Sequence, residues 1–173
     1  GMLWIGYADE GFIRYDPYSG TTTHYPPRLG VDGAHQQTRV MNISEDSRGR
    51  LWIGGTLGLS LLDPTTGVFR NFMHDSTRSD SLSSNIVRMI FESRDGAIWI
   101  AGHHGLDQVV ESATNEIRFR AWKFTGKNTR PLVYGVAEDP SGKLWISSND
   151  GISRLDRSDE SQINFGLSSG LQD

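Results

Sequence analysis

The sequence has no cysteine among its 173 residues. That excludes disulfides, thiolate metal sites and a cysteine nucleophile. It assigns no compartment, because a cysteine-free chain suits oxidising and reducing surroundings alike. Basic charge is also short: 17 Lys and Arg stand against 21 Asp and Glu, a formal net charge of -4. That is the wrong sign for a nucleic-acid groove or an anionic lipid surface. No apolar run approaches the roughly 20 residues of a membrane helix, and no charged-then-apolar leader opens the chain. There is no Gly-x-Ser-x-Gly elbow, no His-Glu-x-x-His and no Walker loop. No catalytic residue, cofactor or metal-ligand set is therefore assigned.

Repetition is abundant. Leu3-Trp4-Ile5, Leu51-Trp52-Ile53, Ile98-Trp99-Ile100 and Leu144-Trp145-Ile146 are one phrase, spaced by 48, 47 and 46 residues. Counting from each tryptophan, the last three units share Val40, Val87 and Val133, then Ile43, Ile90 and Val136. They also share Glu45, Glu92 and Glu138, then Gly49, Gly96 and Gly142 before the tryptophan, and Gly58, Gly105 and Gly151 after it. In the first unit the last of these is Gly11, one residue late. Self-similarity at this period marks a repeat architecture.

Each unit reads as four short strands. Val40 to Glu45 is the first, and the turn Asp46-Ser47-Arg48-Gly49 follows. Leu51 to Gly54 is the second and Leu59 to Leu62 the third. After Asp63-Pro64-Thr65-Thr66-Gly67, the fourth runs from Val68 to Phe72. Four strands in about 47 residues predict an all-β chain of β-propeller blades, each of four antiparallel strands. The four phrase tryptophans are expected in the packing between blades, and Trp122 at an outer strand. Glu45, Glu92 and Glu138 are expected to accept backbone N–H groups at strand ends.

The whole chain, 1–173, is one propeller segment of about 3.7 repeats. The boundaries are 3–38 for a partial unit, then 39–85, 86–131 and 132–173, ending on Gly170-Leu171-Gln172-Asp173. Propellers close with roughly 4 to 8 blades, so the ring is incomplete within one chain. It is expected to be completed by a second copy, as a homo-oligomer, or by other blades of a longer parent chain, the third outcome being closure alone as a tight four-bladed ring with one strand missing.

Irregular residues on this regular frame are the candidate site. His103-His104 fills the loop where the other units carry Asp9-Glu10, Thr56-Leu57 and Asn149-Asp150. Loops at one end of a rigid scaffold commonly carry binding. Tyr7, Asp9, Asn149 and Asp150 belong to equivalent loops, and Met41, Arg88 and Tyr134 open the first strands, differing where the framework does not. His24, His35 and His74 read as isolated surface residues.

The phrase Glu45-Asp46-Ser47-Arg48-Gly49-Arg50-Leu51-Trp52-Ile53-Gly54, followed by Gly58-Leu59 and Asp63-Pro64, resembles the two-component regulator propeller repeat. So does the linker from Met73-His74-Asp75 to Ile86-Val87. Ser93 departs from the usual Asp, Ala101 and Ser147 from the usual Gly, and Glu111-Ser112 from the Asp-Pro turn. The resemblance implies a periplasmic sensing segment of a bacterial hybrid two-component protein, with a small molecule or oligosaccharide as ligand. The acidic balance and the lack of a long apolar run leave no nucleic-acid partner and no membrane contact expected for this segment. Two alternatives stand beside the sensing reading. One is a propeller enzyme similar to streptogramin lyases, which use histidine and a divalent metal. The other is a purely structural protein-interaction scaffold.

Overall fold

A computed structural model describes residues 1–63, 66–125 and 128–166. The middle of the Asp63-Pro64-Thr65 turn and the closing Gly170 to Asp173 phrase lie outside the described residues. Every regular element among the described residues is a strand. The first sheet holds Leu3–Gly6 (β1), Phe12–Tyr15 (β2) and Thr22–Tyr25 (β3). The second holds Val40–Glu45 (β4), Leu51–Gly55 (β5), Leu59–Leu62 (β6) and Phe69–Phe72 (β7). The third holds Val87–Glu92 (β8), Ile98–Gly102 (β9), Gly105–Glu111 (β10) and Ile117–Ala121 (β11). The fourth holds Val133–Glu138 (β12), Leu144–Ser148 (β13), Gly151–Leu155 (β14) and Gln162–Phe165 (β15). Each sheet is an antiparallel meander in chain order.

The first hairpin of each complete sheet turns at Gly49, Gly96 or Gly142, with φ of 74°, 81° and 82°. This left-handed backbone favours glycine. Strand side chains alternate between faces, and the alternation divides each Leu-Trp-Ile phrase between two neighbours. Leu51 and Ile53 pack with Phe12 of the first sheet. Trp52 packs against Val87, Ile90, Ile98 and Ile100 of the third. Trp99, with Trp122 and Phe124, packs against Val133, Val136, Leu144 and Ile146 of the fourth. The core is thus a series of dry seams between consecutive blades. At the two ends of the series the pattern opens. Leu3 and Ile5, which face where Leu51 and Ile53 face, are 52% and 43% exposed. Trp145 is half-buried and stacks on Phe165 of its own sheet, with ring centres 5.6 Å apart.

Polar contacts pin the seams at one end. Glu92 accepts the Ser47 N–H at 2.8 Å and the Ser47 hydroxyl at 2.5 Å. Glu138 accepts the Arg94 N–H at 2.8 Å. Two of the three repeated glutamates, Glu92 and Glu138, therefore accept backbone N–H groups, those of the preceding blade's turn, whereas Glu45 is exposed. Beside them lies an ion pair whose polarity reverses between seams. Glu111 meets Arg48 at 2.6 Å and Arg50 at 2.9 Å. Arg157, twelve residues past its tryptophan as Glu111 is past its own, meets Asp95 at 2.8 Å and Glu138 at 2.9 Å.

One histidine departs from expectation. His35 is not on the surface but 2% exposed. Its ring lies 4.7 Å from Phe12 and 5.3 Å from Phe69, centre to centre. Its Nε2 bonds the Tyr25 carbonyl at 2.7 Å. His24 and His74 are exposed.

Candidate functional site

At the opposite end of the blades from the Glu latches, each first strand carries one residue too many for its partner. Pairing steps from Val40↔Gly55 to Asn42↔Gly54, from Val87↔Gly102 to Met89↔Ala101, and from Val133↔Ser148 to Gly135↔Ser147. The unpaired residues are Met41, Arg88 and Tyr134. A β-bulge leaves one residue outside the ladder and re-aims its side chain. The three positions that vary on the regular frame are thus the three bulged residues. The preceding blade serves a backbone group beside two of the bulges, those of Arg88 and Tyr134. Asn42 Oδ1 accepts the Ile90 N–H at 3.1 Å, and Met89 Sδ accepts the Val136 N–H at 3.3 Å.

The structure joins three of the expected residues. Arg88 Nη2 lies 3.2 Å from His103 Nε2. A guanidinium can only donate, so His103 Nε2 accepts and Nδ1 carries the proton. The Arg88 guanidinium sits 5.8 Å from the centre of the Tyr134 ring, across the seam between the third and fourth blades. Burial depresses the His103 pKa, and the positive charges of Arg88 and His104 depress it further. His103 is therefore a neutral acceptor near neutral pH. The Arg88 Nε is buried without a partner, while the Tyr134 side of the cluster is open, that residue being 51% exposed.

The remaining expected residues are placed otherwise. His104 turns away from His103, its Nδ1 3.2 Å from the Ser83 carbonyl. It borders a cavity of about 10 Å³ with Ser83 and Asp107, about the size of one water. Asn149 clasps the preceding linker, accepting the Leu132 N–H at 2.9 Å and donating its own N–H to Leu132 O at 3.1 Å. The Asp150 side chain is exposed, and its N–H bonds Ser148 Oγ at 3.1 Å. Tyr7 contributes main-chain bonds to Gly11 and Val40, with its ring 40% exposed, and Asp9 is exposed. Among the described residues, no hydrogen bond, ion pair or ring contact links Tyr7, Asp9, Asn149 or Asp150 to the Arg88 cluster. No group of three His, Asp or Glu among the described residues is placed to share a metal ion.

Asp107 is a residue that repeat counting passes over. It is buried, and burial pushes its carboxyl up despite hydrogen bonds from Ser83. It accepts the Ser83 N–H at 2.8 Å and the Ser83 hydroxyl at 2.6 Å. The equivalent Ser60 and Ser153 instead donate to Asn71 and Asn164 on the outer strand. Those asparagines donate in turn to the linker carbonyls of Ala34 and Thr125. Asp107 ties its linker without an asparagine, and Ala121 stands opposite it. The sequence shows the change at Asp107, which stands eight residues past its tryptophan as Ser60 and Ser153 do, whereas Ala121 comes opposite it only through the strand register.

Antiparallel four-stranded sheets set side by side through shared apolar seams are β-propeller blades. The model of the two-component regulator propeller family matches residues 35–56 and 81–104, in the second and third of these blades. Histidine kinase P4 of Formosa agariphila is 29% identical over 89 residues, which is 49% of this chain and 6% of that protein. The chain thus spans a small fraction of that relative. The extracellular domain of the hybrid two-component system BT3049 from B. thetaiotaomicron superposes with a TM-score of 0.74 at 19% identity, over 94% of this chain and 21% of that one. Virginiamycin B lyase from Staphylococcus aureus superposes with a TM-score of 0.65 at 18% identity, over 96% and 52%. At such identities these two likenesses establish the propeller fold and nothing finer.

Proposed function

We propose that this chain is a ligand-reading propeller portion of the extracytoplasmic, periplasmic region of a two-component sensor, and that it binds without catalysing. The observation that carries the reading is the row of bulged residues Met41, Arg88 and Tyr134, with His103 locked to Arg88. Dissimilar side chains are presented at equivalent points of a uniform frame, which is how a scaffold acquires specificity without changing its fold. The repeat family and the likeness to a sensor's extracellular domain support the signalling context. The ligand class we propose is a small oligosaccharide. The exposed Leu3 and Ile5 support completion of the ring by a second copy or by flanking blades.

The test is calorimetric titration with a panel of oligosaccharides, followed by mass spectrometry of each recovered ligand. Binding with the ligand returned intact is expected. A ligand returned cleaved would replace the sensor reading with that of a lyase-like enzyme. Light scattering on the same sample is expected to give twice 19.3 kDa; a stable monomer would assign the missing blades to flanking chain.

A further inference from the structure

Arg88 differs from the arginines that cross the other end of the blades. Arg50 meets Asp46 and Glu111, and Arg157 meets Asp95 and Glu138. Arg88 meets no carboxylate among the described residues, although it is half-buried to a similar degree. Of the five N–H groups of a guanidinium, Arg88 uses one among the described residues, toward His103. Its Nε is shut from solvent with no acceptor, and among the described residues it is the one such orphan that belongs to a permanently charged group. A charge taken out of water is costly unless paired. Here the counter-charge is missing while the aim of the guanidinium is fixed, by an imidazole on one side and the Tyr134 ring on the other. Arginine held in this way presents a planar fork suited to a carboxylate or a sulfate. The neighbouring bulged residue Tyr134 supplies an aromatic ring, a surface suited to the apolar face of a sugar ring.

We propose that Arg88, oriented by His103 and Tyr134, is the anchor of an oxyanion site at the seam of the third and fourth blades. It takes the carboxylate or sulfate group of an acidic sugar. This rests on the reading of the bulged end as the recognition face, and it names the chemistry that face selects. A ligand oxyanion accepts from the free Nη1 edge of Arg88, and its ring lies toward Tyr134.

The experiment is an NMR titration of the chain, following the Arg88 side-chain Nε–H. That proton is protected by burial and is assigned by its loss in Arg88→Gln. Sodium glucuronate, sodium sulfate and glucose are added in turn at constant ionic strength. A saturable shift with glucuronate or sulfate, with dissociation constants on the order of millimolar, and none with glucose is expected. The stronger of the two salts identifies the group recognised. Should Arg88→Gln fail to fold, contacts to the Tyr134 ring assign the same signal in the wild type. Absence of a saturable shift with either anion overturns the oxyanion site. A glucose shift equal to the glucuronate shift also overturns it, yet leaves the recognition face standing. That face itself falls only if neutral oligosaccharides, too, leave Met41, Arg88 and Tyr134 unmoved.

Discussion

Asp46 holds the indole of Trp52: the Nε1–H of the tryptophan donates to Oδ2 of the aspartate at 2.8 Å. The relation recurs at Asp139 and Trp145, at 3.0 Å, and at Ser93 and Trp99, at 3.2 Å. The same Asp46 carboxylate accepts the N–H groups of Arg48 and Arg50 at 3.0 and 2.9 Å, and pairs with the Arg50 side chain at 2.7 Å. One acidic residue thus closes the first hairpin of the blade and satisfies the polar atom of its largest core side chain. Burial pushes the Asp46 carboxyl up, but the Trp52 indole, the Arg50 N–H and the Arg50 guanidinium outweigh it and hold it below the usual carboxylate value.

Asp46→Ala leaves the buried Trp52 N–H without a partner and opens the hairpin. A loss of roughly 3 kcal/mol is expected, since an orphaned buried donor and lost charge-assisted bonds cost 1–3 kcal/mol each and overlap here. Asp46→Asn keeps one acceptor and loses less. Urea unfolding with an unchanged slope measures both variants.

The reversed ion pairs predict a compensating exchange. Glu111→Arg sets three cations together beside Arg48 and Arg50. Adding Arg48→Asp reproduces the polarity seen at Asp95 and Arg157. The single change is expected to cost about 1–2 kcal/mol and the double change to recover about 1 kcal/mol of it, the scale of partly exposed pairs. A double-mutant cycle gives the coupling directly, and additive effects would refute a seam-specific pairing.

Asp107 and Ala121 predict a second exchange. Asp107→Ser removes the carboxylate that holds Ser83 and is destabilising. Adding Ala121→Asn rebuilds the serine–asparagine pair found at Ser60 and Asn71, and at Ser153 and Asn164. The double variant is expected to melt above the single one in a thermal scan.

Acidification weakens the fold through its neutral histidines. Burial lowers the His35 pKa from 6.5, against the raising effect of the hydrogen bond its ring donates to the Tyr25 carbonyl. His103 is lowered as well. The native chain then binds fewer protons than the unfolded chain below about 6.5. The stability these groups contribute is complete above that value and is lost as pH falls through it. Asp107, pushed up from 3.8, acts with the opposite sign, so the histidine contribution is read as the difference between the wild type and a histidine variant around the ordinary imidazole value of about 6.5. His35→Gln, which keeps a donor for Tyr25, is expected to flatten the slope of stability against pH around that value.

The blades were legible because the Leu-Trp-Ile phrase repeats and both its faces are apolar, as burial between two neighbours requires. The Arg48–Glu111 and Asp95–Arg157 contacts fall at matching repeat positions with opposite charges, and were legible in principle once positions were compared in pairs. His35 was not. It stands in a linker without periodicity, and its burial arises from Phe12 and Phe69 of two different sheets. Arg88, His103 and Tyr134 stood out as irregular residues, but their convergence depends on a bulge, a one-residue register shift that residue types alone do not announce. Asn149 looked equally available, and the structure spends its amide oxygen on Leu132.

The central claim is that recognition resides in the bulged residues rather than in the frame. The most direct measurement is the thermal shift produced by an oligosaccharide panel on the wild-type chain and on the triple variant Met41→Ala, Arg88→Ala, Tyr134→Ala. Met41 and Tyr134 are exposed and the guanidinium removed at Arg88 is an uncompensated charge, so the variant is expected to stay folded, with an unliganded melting temperature shifted by several degrees at most, and each ligand-induced shift is read against that baseline. A ligand that raises the wild-type melting temperature and leaves that of the variant unchanged is the predicted result. A full ligand-induced shift retained by the triple variant would contradict the account.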